Sequence, residues 1–242
     1  MNDQQVIKNF LDKIDKGQKI YVDIGSSDQS NLPKEIIKDG NKTLFFEIDS
    51  RKASFWKNDH NFEIINKKVT PNNVYDLIFE KIPKDSEITF LDIDIDGYDF
   101  HVLNNLLQKT RPFLIVAEIN EKIPPPIKFS VKYNDNYFWN VSHFYGMSIS
   151  KFDELAETYE YDLIELTANN IYAIRKDKNI GFQTFSSESL YNEKYKNPRL
   201  KGLLPEFNHN NNFDNVLNMN KDDAIKHINS FFINYTGQYE LY

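Results

Sequence analysis

ITFLDIDIDGYDFHVLNN, residues 88–105, carries the pattern that decides the fold. Its opening, ITFLDIDI (88–95), has the β-rich composition of a strand. Over 98–109 the apolar Phe100, Val102, Leu103, Leu106 and Leu107 then recur at helical spacing. RPFLIVAEIN (111–120) follows as an almost wholly apolar run, the signature of a strand buried on both faces. Strand, helix, strand in this order implies a parallel sheet with right-handed crossovers, and ligands gather at the carboxyl ends of such strands.

The same alternation extends toward the start of the chain. KIYVDIG (19–25), KTLFFEID (42–49) and FEIINKKV (62–69) read as strands; PKEIIKDG (33–40, with Pro33 early and Gly40 after its end), 51–58 and NVYDLIFEKI (73–82) read as helices. An opening helix carries Val6, Ile7, Phe10, Leu11 and Ile14, with Gly17 placed to end it. In the other direction FDELAETY (152–159) is helical. YDLIELTA (161–168) and IYAIRKD (171–177) flank Asn169 and Asn170, a tight turn between antiparallel strands. The expected fold is therefore α/β: a mostly parallel central sheet with helices on both faces and a closing antiparallel hairpin, over residues 1–178. From 179 to 242 asparagine and aromatic residues dominate and Pro198, Gly202 and Pro205 interrupt the chain. A helical stripe of Ala224, Ile225, Ile228, Phe231 and Phe232 follows. This reads as a C-terminal extension, a lid or an interaction segment.

With 242 residues the chain has room for one large core, and its formal charge of -7 leaves no basic excess for nucleic acid. The absence of cysteine excludes a disulfide scaffold, a thiol nucleophile and a cysteine zinc site. No apolar run approaches a membrane span and the polar N-terminus does not resemble a signal peptide, so a cytoplasmic protein with a small-molecule partner is expected.

In YVDIGSSDQS, Asp23, Gly25, Ser26 and Ser27 stand where the first strand turns toward its helix, and small residues there admit a ligand. Glu47 ends the second strand 22 positions after Gly25, where a carboxylate accepts from both ribose hydroxyls; Asp49 is the rival, or caps the next helix. A pyrophosphate loop would show three spaced glycines, and only Gly25 is present. S-adenosylmethionine, which has no phosphate, suits Asp23 and the Ser26 and Ser27 amides better.

Period two places Asp92, Asp94 and Asp96 on one face of LDIDIDGYDF. Three carboxylates are costly in a dry sheet, so Asp94 and Asp96 are expected at its open edge, binding a metal, taking a proton or meeting a cationic substrate. The plainer alternative is a helix cap followed by an Asp-Gly turn. Glu118 and Asn120, at the end of the fifth strand, are candidate acceptor contacts. So are Trp139, His143 and Tyr145 in the loop beyond it, with His143 a candidate base beside Asp94 and Asp96.

YVDIG with Ser26, FEID with Glu47, DIDGYDFHVLNNL and RPFLIVAEIN stand in the same order as in the FkbM-type methyltransferases, which this chain resembles over residues 18–177. The resemblance takes in HFYGMSISKFDELAETYEYDLIELTANNIYAIRKD, similar to that group's late helix and closing hairpin. It implies a Rossmann-like class I fold and methyl transfer from S-adenosylmethionine. The implied acceptor is a hydroxyl of a sugar or small metabolite, in surface polysaccharide (capsule) or natural-product biosynthesis. The first loop departs from the pattern, reading DIGSSDQS where a second glycine is usual. N-methylation of a small phosphorylated amine or amino alcohol, a dinucleotide or nucleotide-sugar enzyme, and a non-catalytic binding module are the alternatives. A divalent metal such as Mg and a homo-oligomeric state are left open by the sequence.

Overall fold

The computed structural model describes residues 3–14, 19–27, 30–37, 40–56, 61–204 and 211–242, the side chains of 211 and 212 excepted. Seven strands form one sheet: β1 (Ile20–Ile24), β2 (Lys42–Phe46), β3 (Glu63–Ile65), β4 (Phe90–Ile93), β5 (Leu114–Glu118), β7 (Tyr161–Thr167) and β8 (Asn170–Arg175). Their spatial order is β3-β2-β1-β4-β5-β8-β7. The first five are parallel, β8 runs antiparallel to β5, and β7 pairs antiparallel with β8, so the closing hairpin completes the sheet as expected.

Side chains alternate between two cores because the pleat has period two. Val22, Ile24, Phe46, Leu91, Ile93 and Ile115 face α4 (Val74–Phe79) and α5 (Asp99–Leu107). On the opposite face Tyr21, Phe45, Phe90, Leu114 and Tyr172 meet α1 (Asp3–Leu11) and α2 (Lys34–Ile37). Asp3 of α1 accepts hydrogen bonds from Thr167 and Tyr172, fastening the first helix to the hairpin.

The strands are shorter than the apolar runs that encode them. KTLFFEID pairs as a strand through Phe46, Glu47 N gives a last bond to Ile65 O, and Asn66 Nδ2 donates to the carbonyls of Glu47 and Ile48 at 2.7 and 3.0 Å where the ladder ends. Asp49 then caps α3 (Ser50–Phe55) by accepting from Arg51 N; Gly17 and positions 57–58 of the expected helices lie outside the described residues. The hairpin turn sits one residue earlier than Asn169-Asn170. Asn170 pairs with Thr167 and, across β5, with Glu118, leaving Ala168, at φ +50°, and Asn169 as the turn. α6 (Ile149–Thr158) starts three residues before FDELAETY, since Ser148 accepts from Lys151 N as its N-cap.

Residues 179–242 contribute to the same core as the sheet. Past the hairpin run α7 (Ser187–Tyr191), α8 (Asn197–Leu200) and α9 (Lys221–Phe231), the last carrying the expected stripe. Leu190, Tyr191, Phe213, Ala224, Ile228 and Phe232 pack with the face that holds Val22 and Leu91. The final strand, β9 (Tyr239–Leu241), pairs antiparallel with β6 (Phe129–Val131), a second sheet the sequence pattern did not reveal. Lys122, 1% exposed, and Arg199 both bridge to Asp214.

Phe232 is buried with its ring centroid 5.6 Å from Phe129 and 5.3 Å from Phe144. Phe232→Ala is expected to cost about 3–5 kcal/mol through lost burial and the cavity left behind. Urea unfolding followed by both fluorescence and circular dichroism should show one transition displaced as a whole. A sheet transition that stays in place would mean the C-terminal segment folds independently.

Candidate functional site

The site begins with a backbone contact. Gly25, at φ +93°, follows β1, and a Cβ on it would lie 1.7 Å from the carbonyl oxygen of Asp94. Only glycine fits both the dihedral and the space. Around it Asp94 N donates to Ile24 O at 2.9 Å and Gly25 N to Phe46 O at 2.9 Å, so the carboxyl ends of β2, β1 and β4 are laced together.

Glu47 stands just past β2, 5% exposed, with Oε2 accepting from Ser27 N at 2.9 Å and Oε1 from Asp49 N at 2.7 Å. Its carboxyl is thus fixed in orientation. A carboxylate offers about four lone-pair positions, so two acceptor positions remain. Trp56 Nε1 donates to Ser27 O at 2.7 Å and holds the other side of the loop.

Gly25, Ser27, Glu47, Asp94 and Asp96 line a cleft of about 430 Å³. Its aromatic side is made by Tyr98, Tyr137, Phe138 and Trp139, and Lys52, Lys67 and Lys68 also border it. Gly97 sets the position of that aromatic side, since a Cβ there would come within 2.5 Å of the Tyr137 ring. Tyr137 in turn donates to Phe144 O at 2.6 Å, and Trp139 Nε1 to Ser142 O at 2.8 Å.

Carboxylates concentrate at the end of β4. Asp94, Asp96 and Glu118 each place an oxygen within 4.8 Å of the others. Asp96 sits at φ +57°, in the left-handed region that Asp tolerates better than most residues. Asp99, fully buried, accepts from Ile95 N and Gly97 N, both at 2.9 Å, and holds the loop in shape. The N-cap position of α5 is Tyr98, which makes no side-chain cap bond, so neither Asp94 nor Asp96 caps that helix, and Asp99 ties down the loop before it. Burial lifts Asp99 to about 6 against those amide bonds. Burial, and then the charges of Asp96, Asp99 and Asp92, push Asp94 well above the ordinary carboxylate range. Glu118 is raised likewise by burial and by Asp94 and Asp96.

Asp92 does not join this group. Strand geometry persists only to Ile93, so Asp92 stays in the sheet opposite Asp23 of β1, and both side chains turn toward the face covered by α1 and α2. Ser30 donates to Asp23 and Asn31 Nδ2 to Asp92 Oδ2 at 3.0 Å, while Asp92 Oδ1 is buried with no partner among the described residues. Asp23 thus lies away from the cleft lining expected for it. Ser26 is also buried away from it, its amide directed to Phe46 O.

Of the expected acceptor residues, Trp139 lines the cleft and Glu118 joins its carboxylates. Asn120 is fully buried and its Nδ2 donates to the carbonyls of His143 and Tyr145. Tyr145 donates to Glu121. His143, 5% exposed, packs between Phe213 and Phe231 with ring centroids 5.3 and 5.1 Å away, outside the cleft lining. Sequence reading missed Tyr98, Tyr137 and the three lysines. The run Tyr137-Phe138-Trp139 inside a loop was the available signal, since three aromatics with no strand or helix to bury them need another reason to be there.

A family model described as a methyltransferase FkbM domain matches residues 8–160. Among solved structures the chain is similar to a SAM dependent methyltransferase from Aquifex aeolicus, at 15% identity over 72% of this chain and 89% of that one, with a TM-score of 0.40. It is similar to magnesium protoporphyrin IX methyltransferase from Synechocystis PCC 6803 with bound SAM, at 7% identity, 72% and 77% coverage and a TM-score of 0.46. A third is a S-adenosylmethionine-dependent methyltransferase from Clostridium acetobutylicum, at 6% identity, 71% and 89% coverage and a TM-score of 0.41. No curated protein matches the chain.

The Asp23 environment gives a pH test. Burial raises Asp23 from 3.8 to about 7, with Ser30 opposing and the charges of Asp94 and Glu47 adding to the rise. A folded-state value above the unfolded one means that the contribution to stability is fully present below about 3.8 and is lost as pH rises through about 7. Asp23→Asn keeps an acceptor for Ser30 and removes the ionisation. Urea midpoints should therefore shift in favour of the variant as pH rises from 4 to about 7. A gap that does not change with pH would contradict this account.

Proposed function

This chain belongs to the FkbM methyltransferase family, and from that premise we propose that it moves the methyl group of S-adenosylmethionine, held in the cleft, to a hydroxyl of a sugar or other small polar metabolite. The observation that carries the donor assignment is Glu47, fixed by two backbone amides with acceptor positions to spare in the cleft. Those positions suit two ribose hydroxyls.

The first loop also speaks against a dinucleotide or nucleotide sugar. The amides of Gly25 and Ser26 both donate to Phe46 O and that of Ser27 to Glu47, so three successive N–H groups are spent within the fold. A pyrophosphate needs such groups facing outward, and the same bonds take away the Ser26 and Ser27 amides that the sequence offered to S-adenosylmethionine, leaving Glu47 to carry the donor assignment.

The bound donor supplies an electrophilic methyl on a sulfonium, and the protein's work is alignment and proton removal. Tyr98, Tyr137 and Trp139 give the cleft an apolar side that excludes water and orients the acceptor. The acceptor's proton leaves toward the carboxylates of Asp94, Asp96 and Glu118, among which burial and neighbouring negative charge raise the proton affinity of Asp94 and Glu118. His143, packed between two phenylalanines, is assigned to holding the loop that ends in Tyr145. We place the reaction in the cytoplasm, in surface polysaccharide or natural-product synthesis. Among the described residues no helix is long and apolar enough to cross a membrane.

Two measurements test the reading. Isothermal titration should detect S-adenosylmethionine and its demethylated product, with no binding of a nicotinamide dinucleotide. Glu47→Gln should weaken the former by about 1.5–3 kcal/mol, the worth of hydrogen bonds to a charged group. Unchanged affinity would remove Glu47 from the donor site. Labelled donor incubated with sugars, nucleotide sugars, amino alcohols and phosphorylated amines, read by mass spectrometry, identifies the acceptor. Transfer confined to amines would replace the hydroxyl by nitrogen.

A further inference from the structure

The turn that carries Trp139 to the cleft is held against its own preference. Val141 lies at φ +60°, and among the described non-glycine residues at positive φ it alone is β-branched. In that left-handed conformation the branched side chain crowds the backbone. Val141 is 63% exposed, so its own packing does little to offset the strain.

A strained dihedral persists only where the surrounding structure imposes it. Here the residues on either side of Val141 show what does. Asn140 Nδ2 donates to the Tyr235 hydroxyl at 2.9 Å, and Ser142 Oγ lies 3.3 Å from the same oxygen. Ser142 Oγ also donates to Asn140 Oδ1 at 2.6 Å, so three side chains close a ring of hydrogen bonds across Val141. The Tyr235 ring is itself fixed, stacked on Phe144 at 4.0 Å between centroids. From the turn the restraint passes to the cleft in one step, since Trp139 Nε1 donates to Ser142 O at 2.8 Å and Trp139 lines the opening.

We propose that Tyr235 is a positioning residue for methyl transfer: through Asn140 and Ser142 it holds Val141 in its strained conformation and so sets Trp139 on the side of the cleft that the acceptor meets. Tyr235 is not among the residues that line the cleft, so it acts on the acceptor only through the turn. Without the phenol oxygen the turn relaxes toward negative φ, and the Ser142 carbonyl and the indole bonded to it move together. The proposal rests on the methyltransferase reading of the cleft, while the place of the indole is measurable without turnover.

The full chain labelled with 5-fluorotryptophan carries two reporters, Trp56 and Trp139, and Trp139→Phe tells them apart in the fluorine NMR spectrum. Tyr235→Phe keeps the stack on Phe144 and removes only the hydroxyl. Its Trp139 resonance is expected to broaden and move toward that of solvent-exposed tryptophan, with Trp56 unchanged. Adding Val141→Asn, which tolerates the left-handed region, should return the resonance to its wild-type place. General stabilisation by the phenol does not predict that rescue, and circular dichroism checks that each variant is folded. Label from S-adenosylmethionine is then offered to sugars, nucleotide sugars, amino alcohols and phosphorylated amines. Transfer by Tyr235→Phe should fall severalfold when the acceptors are dilute and recover when they are concentrated, a change in KM rather than kcat. Affinity for the demethylated donor product should stay the same. A Trp139 resonance unmoved in Tyr235→Phe, a displaced one that Val141→Asn does not restore, or a loss of transfer that persists at high acceptor concentration overturns the proposal. If the rescue is seen but the wild type transfers label to none of these compounds, the clamp on Trp139 stands and the proposed acceptor class falls.

Discussion

The packing of Gly25 against the carbonyl of Asp94 is the constraint on which the rest of the site depends. No side chain fits between the loops that follow β1 and β4, so the two loops close directly on each other and the residues after them are thrown outward around the contact. Ser27 reaches Glu47 on one side, and Asp94 and Asp96 turn to the cleft on the other. A second close approach, Gly97 beneath the Tyr137 ring, repeats the device and brings a loop from beyond β6 over the same opening. Two glycines therefore bring together elements that lie far apart in sequence.

Electrostatics explains why the acidic residues divide as they do. Asp23 and Asp92 lie on neighbouring parallel strands and are buried against α1 and α2, each stabilised by one neutral donor, Ser30 or Asn31. A pair of buried like charges is tolerated only if it binds protons, which is why burial pushes both upward. Two residues farther along β4 the strand has ended, and Asp94 and Asp96 meet an open cleft where a ligand, a cation or water can answer their charge. The same DIDID run thus supplies one carboxylate buried in the sheet and two that line the cleft. What separates them is the end of β4 at Ile93, past which Asp94 N gives one last bond to Ile24 O of β1.

This division also marks the limit of what the sequence discloses. Period two put three aspartates on one face, and it holds only while the strand lasts; the strand's end is set by tertiary contacts that no local pattern records. The order of strands and helices, the hairpin and the place of Glu47 were legible because each rests on composition within a short window. The role of Asp99 was hidden because its partners are backbone amides, whose direction depends on the turn. His143 looked like a base in a polar-looking loop, yet Phe213 and Phe231, some 70 and 90 positions away, enclose it. Pairing of β6 with β9 across more than a hundred residues left no periodic trace in either three-residue strand.

These long-range contacts have a consequence for the acceptor. Tyr137, Phe138 and Trp139 line the cleft, but the loop they belong to is held from outside by the last part of the chain. The Tyr235 ring stacks on Phe144 at 4.0 Å and 6°, and its hydroxyl meets Asn140 Nδ2 at 2.9 Å and Ser142 Oγ at 3.3 Å. Below it Phe232 fills the space between Phe129 and Phe144, and β9 completes a sheet with β6. A loop of this length has little intrinsic order, so its aromatic groups can present a defined surface only if something else bears the entropy of fixing them. The C-terminal segment does so with stacking and burial rather than with residues inside the cleft. The side of the cleft with Gly25 and Glu47 is built from the strand ends of the sheet itself, whereas the aromatic side depends on residues beyond 210. A change in that segment can therefore alter the aromatic side of the cleft while Gly25 and Glu47 stay in place.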